Sequence, residues 1–119
     1  MARVLVADDS STMRKIILRS LQAVGVTDVV EAADGGEAVN LFKPGDFDMV
    51  LTDWNMPCKT GLEVVQEVRA QDANVPIIMV TTEAEKGRVL TAIQAGVSDY
   101  LVKPFTADTL REKLEKHGC

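Results

Sequence analysis

Several absences narrow the function of this chain before any motif is read. No stretch of its 119 residues comes near the roughly 20 consecutive apolar residues of a membrane-spanning helix, and the run Val4-Leu5-Val6-Ala7 is too short for a secretory leader. The two cysteines, Cys58 and Cys119, form no C-x-x-C pair and are too few for a disulfide framework, so a reducing, cytoplasmic setting is expected. Acidic residues outnumber basic ones, 18 to 13, and no Lys/Arg stripe occurs. The phosphate-neutralising surface that direct nucleic-acid binding needs is therefore missing. No G-x-G-x-x-G follows the first apolar run, and no internal repeat, linker or low-complexity segment appears.

Apolar residues are plentiful. Leu, Ile, Val and Phe make up 34 of the 119 residues, well above the roughly 20% below which a chain stays disordered. The length suits a single domain over residues 1–119 with one buried core. Short apolar runs alternate with segments of helical period. The expected strands are Val4–Ala7, Val29–Ala32, Asp48–Thr52, Ile77–Val80 and Tyr100–Val102.

The expected helices run from Ser10 to Gly25, from Gly36 to Phe42, from Gly61 through Val68, from about Glu85 to Ala95, and from Thr106 to His117. Val89, Ala92 and Ile93 are expected on one side of the fourth, and Leu110 and Leu114 stand at i, i+4 spacing along the fifth. Five βα units with near-continuous apolar strands predict a doubly wound parallel sheet with helices on both faces, in the order 2-1-3-4-5.

The centre of the sequence is Met49-Val50-Leu51-Thr52-Asp53-Trp54-Asn55-Met56-Pro57, an apolar strand that ends at a carboxylate before a proline. In the predicted order the first and third strands are neighbours, so Asp8 and Asp9 converge on Asp53, while Thr81 and Lys103 end the fourth and fifth strands. Three crowded carboxylates repel one another, and a hard divalent cation removes the conflict. Mg²⁺ suits the site because it takes oxygen ligands and is held by one or two carboxylates plus phosphate. A lysine and a hydroxyl on the far side face the same tetrahedral anion. The assembly reads as an aspartate that accepts a phosphoryl group, with Asp9 and Asp53 both open as the nucleophile. Taken singly, each member has an ordinary explanation as a helix cap, a turn residue or a solvated lysine. Their joint placement at four strand ends of five favours the chemistry.

The pieces Val-Ala-Asp8-Asp9-Ser, Leu-Thr-Asp53-Trp54-Asn55-Met56-Pro57, Val-Thr81-Thr82-Glu83-Ala and Asp-Tyr100-Leu-Val-Lys103-Pro104-Phe105-Thr resemble the receiver domains of two-component response regulators, above all the single-domain chemotaxis type. The similarity spans essentially the whole chain and implies a flavodoxin-like (βα)5 sandwich. It also implies that Asp53 accepts the phosphoryl group. Asp9, Asp53 and the backbone carbonyl of Asn55 would ligate Mg²⁺, with Asp8 behind them. Lys103 would bind the phosphoryl group from a strand end shaped by a cis bond to Pro104. Thr81 and Tyr100 would form a switch pair, with Ala84, Lys86, Val89 and Lys113 on the partner face.

The implied partners are a histidine kinase as donor, a flagellar motor switch protein or other target, and a phosphatase. The implied state is a monomer that assists its own phosphorylation and dephosphorylation without being a turnover enzyme. Asn55 and Glu83 would tune the approach of the hydrolytic water, and His117 is expected as a solvated helix-end residue. Cys58-Lys59-Thr60 departs from the family's usual small residue, Met and Asp, which bears on loop mobility and dephosphorylation. Thr82 stands where a small residue is frequent and narrows access to Asp53.

Two rivals share the chemistry: a phosphorelay intermediate that passes the group to a histidine phosphotransfer protein, and a haloacid-dehalogenase-type phosphatase. The phosphatase needs an acid two residues after its nucleophile, where this chain has Ser11 or Asn55. A receiver cut from a transcription factor is a third reading, and no helix-turn-helix follows the fifth helix.

Overall fold

The computed structural model describes residues 2–82 and 87–118. Five βα units follow in order: β1 (Arg3–Ala7), α1 (Ser11–Ala23), β2 (Asp28–Ala32), α2 (Gly35–Leu41), β3 (Met49–Asp53), α3 (Gly61–Gln71), β4 (Ile77–Thr82), α4 (Val89–Ala95), β5 (Asp99–Lys103) and α5 (Ala107–Lys116). All strand pairs are parallel, and the sheet order is β2-β1-β3-β4-β5, as expected.

Side chains alternate between the two faces of the sheet, so each strand feeds two cores. Leu5, Val50, Ile77 and Met79 join Val64, Val65, Val68 and Ala92 on the α2–α3–α4 side. Val4, Val6, Leu51, Ile78 and Leu101 join Ile17, Leu21, Leu110 and Leu114 on the α1–α5 side. Leu110 is completely buried. Leu110→Ala is expected to lower stability by about 3 kcal/mol through lost transfer energy and a residual cavity, measurable as a fall in the urea midpoint.

Four helices begin at a side chain that accepts a hydrogen bond from an otherwise orphaned backbone N–H. Ser10 caps Met13, Asp34 caps Glu37, and Thr106 caps Thr109. Thr60 and Glu63 form a reciprocal capping box at α3, a T-x-x-E signal that the apolar pattern alone overlooks. Gly61 matters for the site, because a Cβ there would meet the Asp53 carbonyl oxygen at 2.1 Å. Only glycine lets α3 start directly under the end of β3.

The fourth unit departs most from the sequence pattern. The predicted start of its helix at Glu85, with Glu83, Ala84 and Lys86, lies outside the described residues, and the described helix runs only from Val89. Ala92 alone is buried along α4, Val89 is half-buried, and Ile93 is 50% exposed. Seven residues make barely two turns, too short an arc to bring a second full row onto the sheet. Asp48 belongs to the turn before β3: its carboxylate accepts the Arg3 N–H at 2.8 Å, and its own N–H donates to the Arg3 carbonyl.

Candidate functional site

The parallel register sets the strand tips side by side. Ala7 pairs with Thr52, Asp53 with Val80, Thr81 with Val102 and Thr82 with Lys103. Asp8 and Asp9 follow directly after β1, so they face Asp53 across the junction where the order of strands reverses, the usual ligand position in such sheets. One carboxylate oxygen from each of Asp8, Asp9 and Asp53 lies within 4.8 Å of the others.

The three acids are not equivalent. Asp8 is buried, and its Oδ1 accepts the Ser10 N–H at 2.9 Å while its Oδ2 takes the Lys103 Nζ at 3.2 Å. Asp9 is exposed at the rim. Asp53 is mostly enclosed, with its Oδ1 accepting the Trp54 N–H at 2.8 Å and lying 3.3 Å from the Lys103 Nζ. Burial pushes the Asp53 carboxyl above the usual carboxylate range, opposed by Lys103 and reinforced by Asp8.

Lys103 reaches between Asp8 and Asp53 from the end of β5, and its bond to Pro104 is cis, as expected. Thr81 is buried on β4, its hydroxyl donating to the Thr82 carbonyl at 3.3 Å. Asn55 is exposed in the turn after Asp53. Tyr100 is half-buried, packs against the α2–α3–α4 core, and carries the Lys113 ammonium 5.4 Å above its ring. The three acids after β1 and at the end of β3 and the lysine at the end of β5 thus come together, and Thr81 lies near the end of β4, the strand between β3 and β5.

Three features escaped the sequence reading. Arg14 on α1 donates to the Asp8 backbone carbonyl at 2.6 Å and pairs with Glu31 at 3.2 Å, fixing the turn that presents the acids. Arg88 places its guanidinium 5.7 Å from the ring centre of buried Trp54. His117 is not a solvated helix-end residue: its side chain is 16% exposed, and Nε2 lies 3.1 Å from Asp99 Oδ2. A lone arginine on a helix face carries no signal of such a target. Asp99 at a strand start with Lys113, Lys116 and His117 in the last turns of the following helix is a readable pairing.

The response regulator receiver domain model matches residues 4–115. This chain belongs to that family. The chemotaxis protein CheY homolog of Campylobacter jejuni subsp. jejuni is 53% identical over 116 residues, which cover 95% of this chain and 89% of that protein. Chemotaxis protein CheY of Pseudomonas aeruginosa is 47% identical, with 96% and 94% covered. The receiver domain of a sensor histidine kinase from Pseudomonas aeruginosa, solved with a magnesium ion coordinated in its active site cleft, superposes with a TM-score of 0.88 at 32% identity, covering 99% and 98% of the two chains.

As a receiver domain homologous to chemotaxis regulators, the chain is a signalling module of the two-component phospho-acceptor class, a class distinct from ordinary turnover enzymes. Receiver domains bind Mg²⁺ at an acidic site, and Asp8, Asp9 and Asp53 form an acidic cluster here. Among the described residues no helix is long and apolar enough to cross a membrane.

Proposed function

We propose that this receiver takes a phosphoryl group on Asp53 from a phosphohistidine of a partner kinase and thereby switches a binding face used in chemotaxis, with a flagellar motor switch protein as target. The observation that carries the reading is the Lys103 ammonium held 3.2 and 3.3 Å from the carboxylates of Asp8 and Asp53. A fixed cation beside a desolvated acceptor meets the charge that the transferring phosphoryl oxygens bring.

In the transfer an Asp53 oxygen forms a bond to phosphorus as the donor's P–N bond breaks, its electron pair going to the imidazole nitrogen. Lys103 then pairs with a phosphoryl oxygen, and the Thr81 hydroxyl near the end of β4 supplies a further donor to it. Asp9, Asp53 and the Asn55 backbone carbonyl would hold Mg²⁺, with Asp8 in support behind them. The donor set fits, because all the ligands are hard oxygens and burial, with Asp8 adding to it, holds the Asp53 carboxyl above its usual range until a cation compensates. Held by these residues, Mg²⁺ would supply charge neutralisation at the acceptor and the phosphoryl oxygens.

Hydrolysis of the acyl phosphate by the domain itself, tuned by Asn55 and Glu83 and accelerated by a separate phosphatase, resets the switch. The chain works as a cytoplasmic monomer. Residues 1–119 act as one receiver domain, whose partner face is formed by Val89, Tyr100 and Lys113 with Ala84 and Lys86.

Incubation with acetyl phosphate and Mg²⁺ followed by intact mass measurement tests the acceptor chemistry. The metal site is tested separately through Trp54, whose N–H is bonded to Asp53. Mg²⁺ is expected to change Trp54 emission saturably, and Asp9→Ala to weaken apparent affinity roughly tenfold or more by removing a charged ligand. An unchanged titration in that variant would make Asp9 a helix-start acid only.

A further inference from the structure

Asp99 is a nearly buried carboxylate at the end of the sheet opposite the acceptor, and the phosphoryl chemistry does not use it. At 8% exposure it is the most enclosed acid after Asp8 among the described residues. Its Oδ1 accepts the Tyr100 N–H at 2.8 Å and takes the Lys113 Nζ at 2.9 Å. Its Oδ2 meets the His117 Nε2 at 3.1 Å and the Lys116 Nζ at 3.3 Å. Burial alone pushes this carboxyl up, yet its bonds to Lys113, His117 and the Tyr100 N–H hold it well below the usual carboxylate range. Asp99 is therefore charged at neutral pH.

We propose that Asp99 is an internal competitor for an acidic partner surface, engaging Lys113 and Lys116 in the resting protein and, through Lys113, holding Tyr100 in place. Lys113 is the link: its ammonium bonds Asp99 and lies 5.4 Å above the Tyr100 ring, so one side chain ties the acid to the aromatic. Three basic groups gather on one carboxylate in a chain of net charge −5, which makes this end of α5 locally rich in donors. A partner carboxylate that draws Lys113 away leaves the Tyr100 face uncovered, and rotation of Tyr100 weakens the hold on Lys113. The inference rests on the proposed reading of Tyr100 and Lys113 as part of the partner face.

The test compares wild type, Asp99→Asn and Lys113→Gln. Asn retains an acceptor for the Tyr100 N–H and removes the charge. Lysine acetylation under limiting reagent, read by peptide mass, is expected to rise at least threefold at Lys113 in Asp99→Asn, with exposed Lys43 as an unchanged internal reference. Tyr100 ring resonances are expected to move in both variants, in the direction that beryllofluoride with Mg²⁺ moves them in wild type. Wild-type labelling at Lys113 and unmoved Tyr100 resonances in folded Asp99→Asn would overturn the inference. If Asp99→Asn does not fold, unmoved resonances in Lys113→Gln overturn it alone. Movement in the variants without any response of wild type to beryllofluoride would uphold the clamp and remove the switch reading instead.

Discussion

The Asp53→Asn protein is expected to gain no phosphoryl mass from acetyl phosphate and Mg²⁺, while wild type gains one adduct, and to be the more stable of the two without metal. The first outcome follows from chemistry, since an amide oxygen is far too weak a nucleophile to accept the group. The second follows from electrostatics. Burial and the neighbouring Asp8 raise the Asp53 pKa against the opposing pull of Lys103, so ionising this side chain at neutral pH costs folding free energy.

Removing that charge is expected to add about 1 kcal/mol, which for a domain of this size raises Tm by roughly 3–6 °C. The sign gives a pH dependence. A carboxyl raised in the folded state carries its full cost above its folded pKa and loses it as pH falls through that value, so the advantage of Asp53→Asn shrinks on acidification. Added Mg²⁺ works in the opposite sense, stabilising wild type through binding linkage and narrowing or reversing the gap. Melting curves at two pH values, with and without Mg²⁺, read all of this. Wild type more stable than Asp53→Asn in metal-free neutral buffer would refute the electrostatic account.

Thr81→Ala is expected to accept phosphate and yet lose most of the gain in partner binding that phosphorylation produces, about tenfold or more in affinity. Thr81 is buried, and its hydroxyl has only the Thr82 carbonyl as partner among its described side-chain bonds, at 3.3 Å. Such a long bond is readily exchanged for a charged phosphoryl oxygen. A ligand shifts an equilibrium only by its differential affinity for the two states, so the phosphoryl group must meet Thr81 better in the active one. A tenfold loss corresponds to about 1.4 kcal/mol, within reach of one charge-assisted hydrogen bond. Titrations of the proposed target, a flagellar motor switch protein, with and without beryllofluoride decide it. An undiminished gain in Thr81→Ala would require another route from Asp53 to Tyr100.

The strand tips were legible because their signals are local. Each of Asp8, Asp53, Thr81 and Lys103 ends a short apolar run, and right-handed crossovers then leave few ways to arrange five βα units. Chemotaxis regulators are themselves the usual example of the order 2-1-3-4-5, so resemblance and connection rules are not independent supports for it. What stayed hidden depends on side-chain reach across elements. Nothing in the pattern around Arg14 marks it for the Asp8 carbonyl, and nothing around Arg88 marks it for the ring of Trp54.

The apolar side of the fourth helix, Val89, Ala92 and Ile93, is mostly unburied for a related reason. Apolar period assumes a helix long enough to bury a stripe, whereas α4 contributes one small buried residue, Ala92. Both Ile93 and Leu90, 50% and 66% exposed, remain at the surface. His117 was misjudged because exposure at a chain end is a prior about position, overridden here by the buried charge of Asp99.

Locating the phosphoryl group on the chain tests most directly whether Asp53 carries it. Wild-type protein phosphorylated with acetyl phosphate and Mg²⁺, trapped by borohydride reduction of the acyl phosphate and digested, is expected to show a single altered residue, at position 53. Trapping at Asp9 or Asp8, or an adduct that borohydride leaves intact on a hydroxyl, would contradict the account.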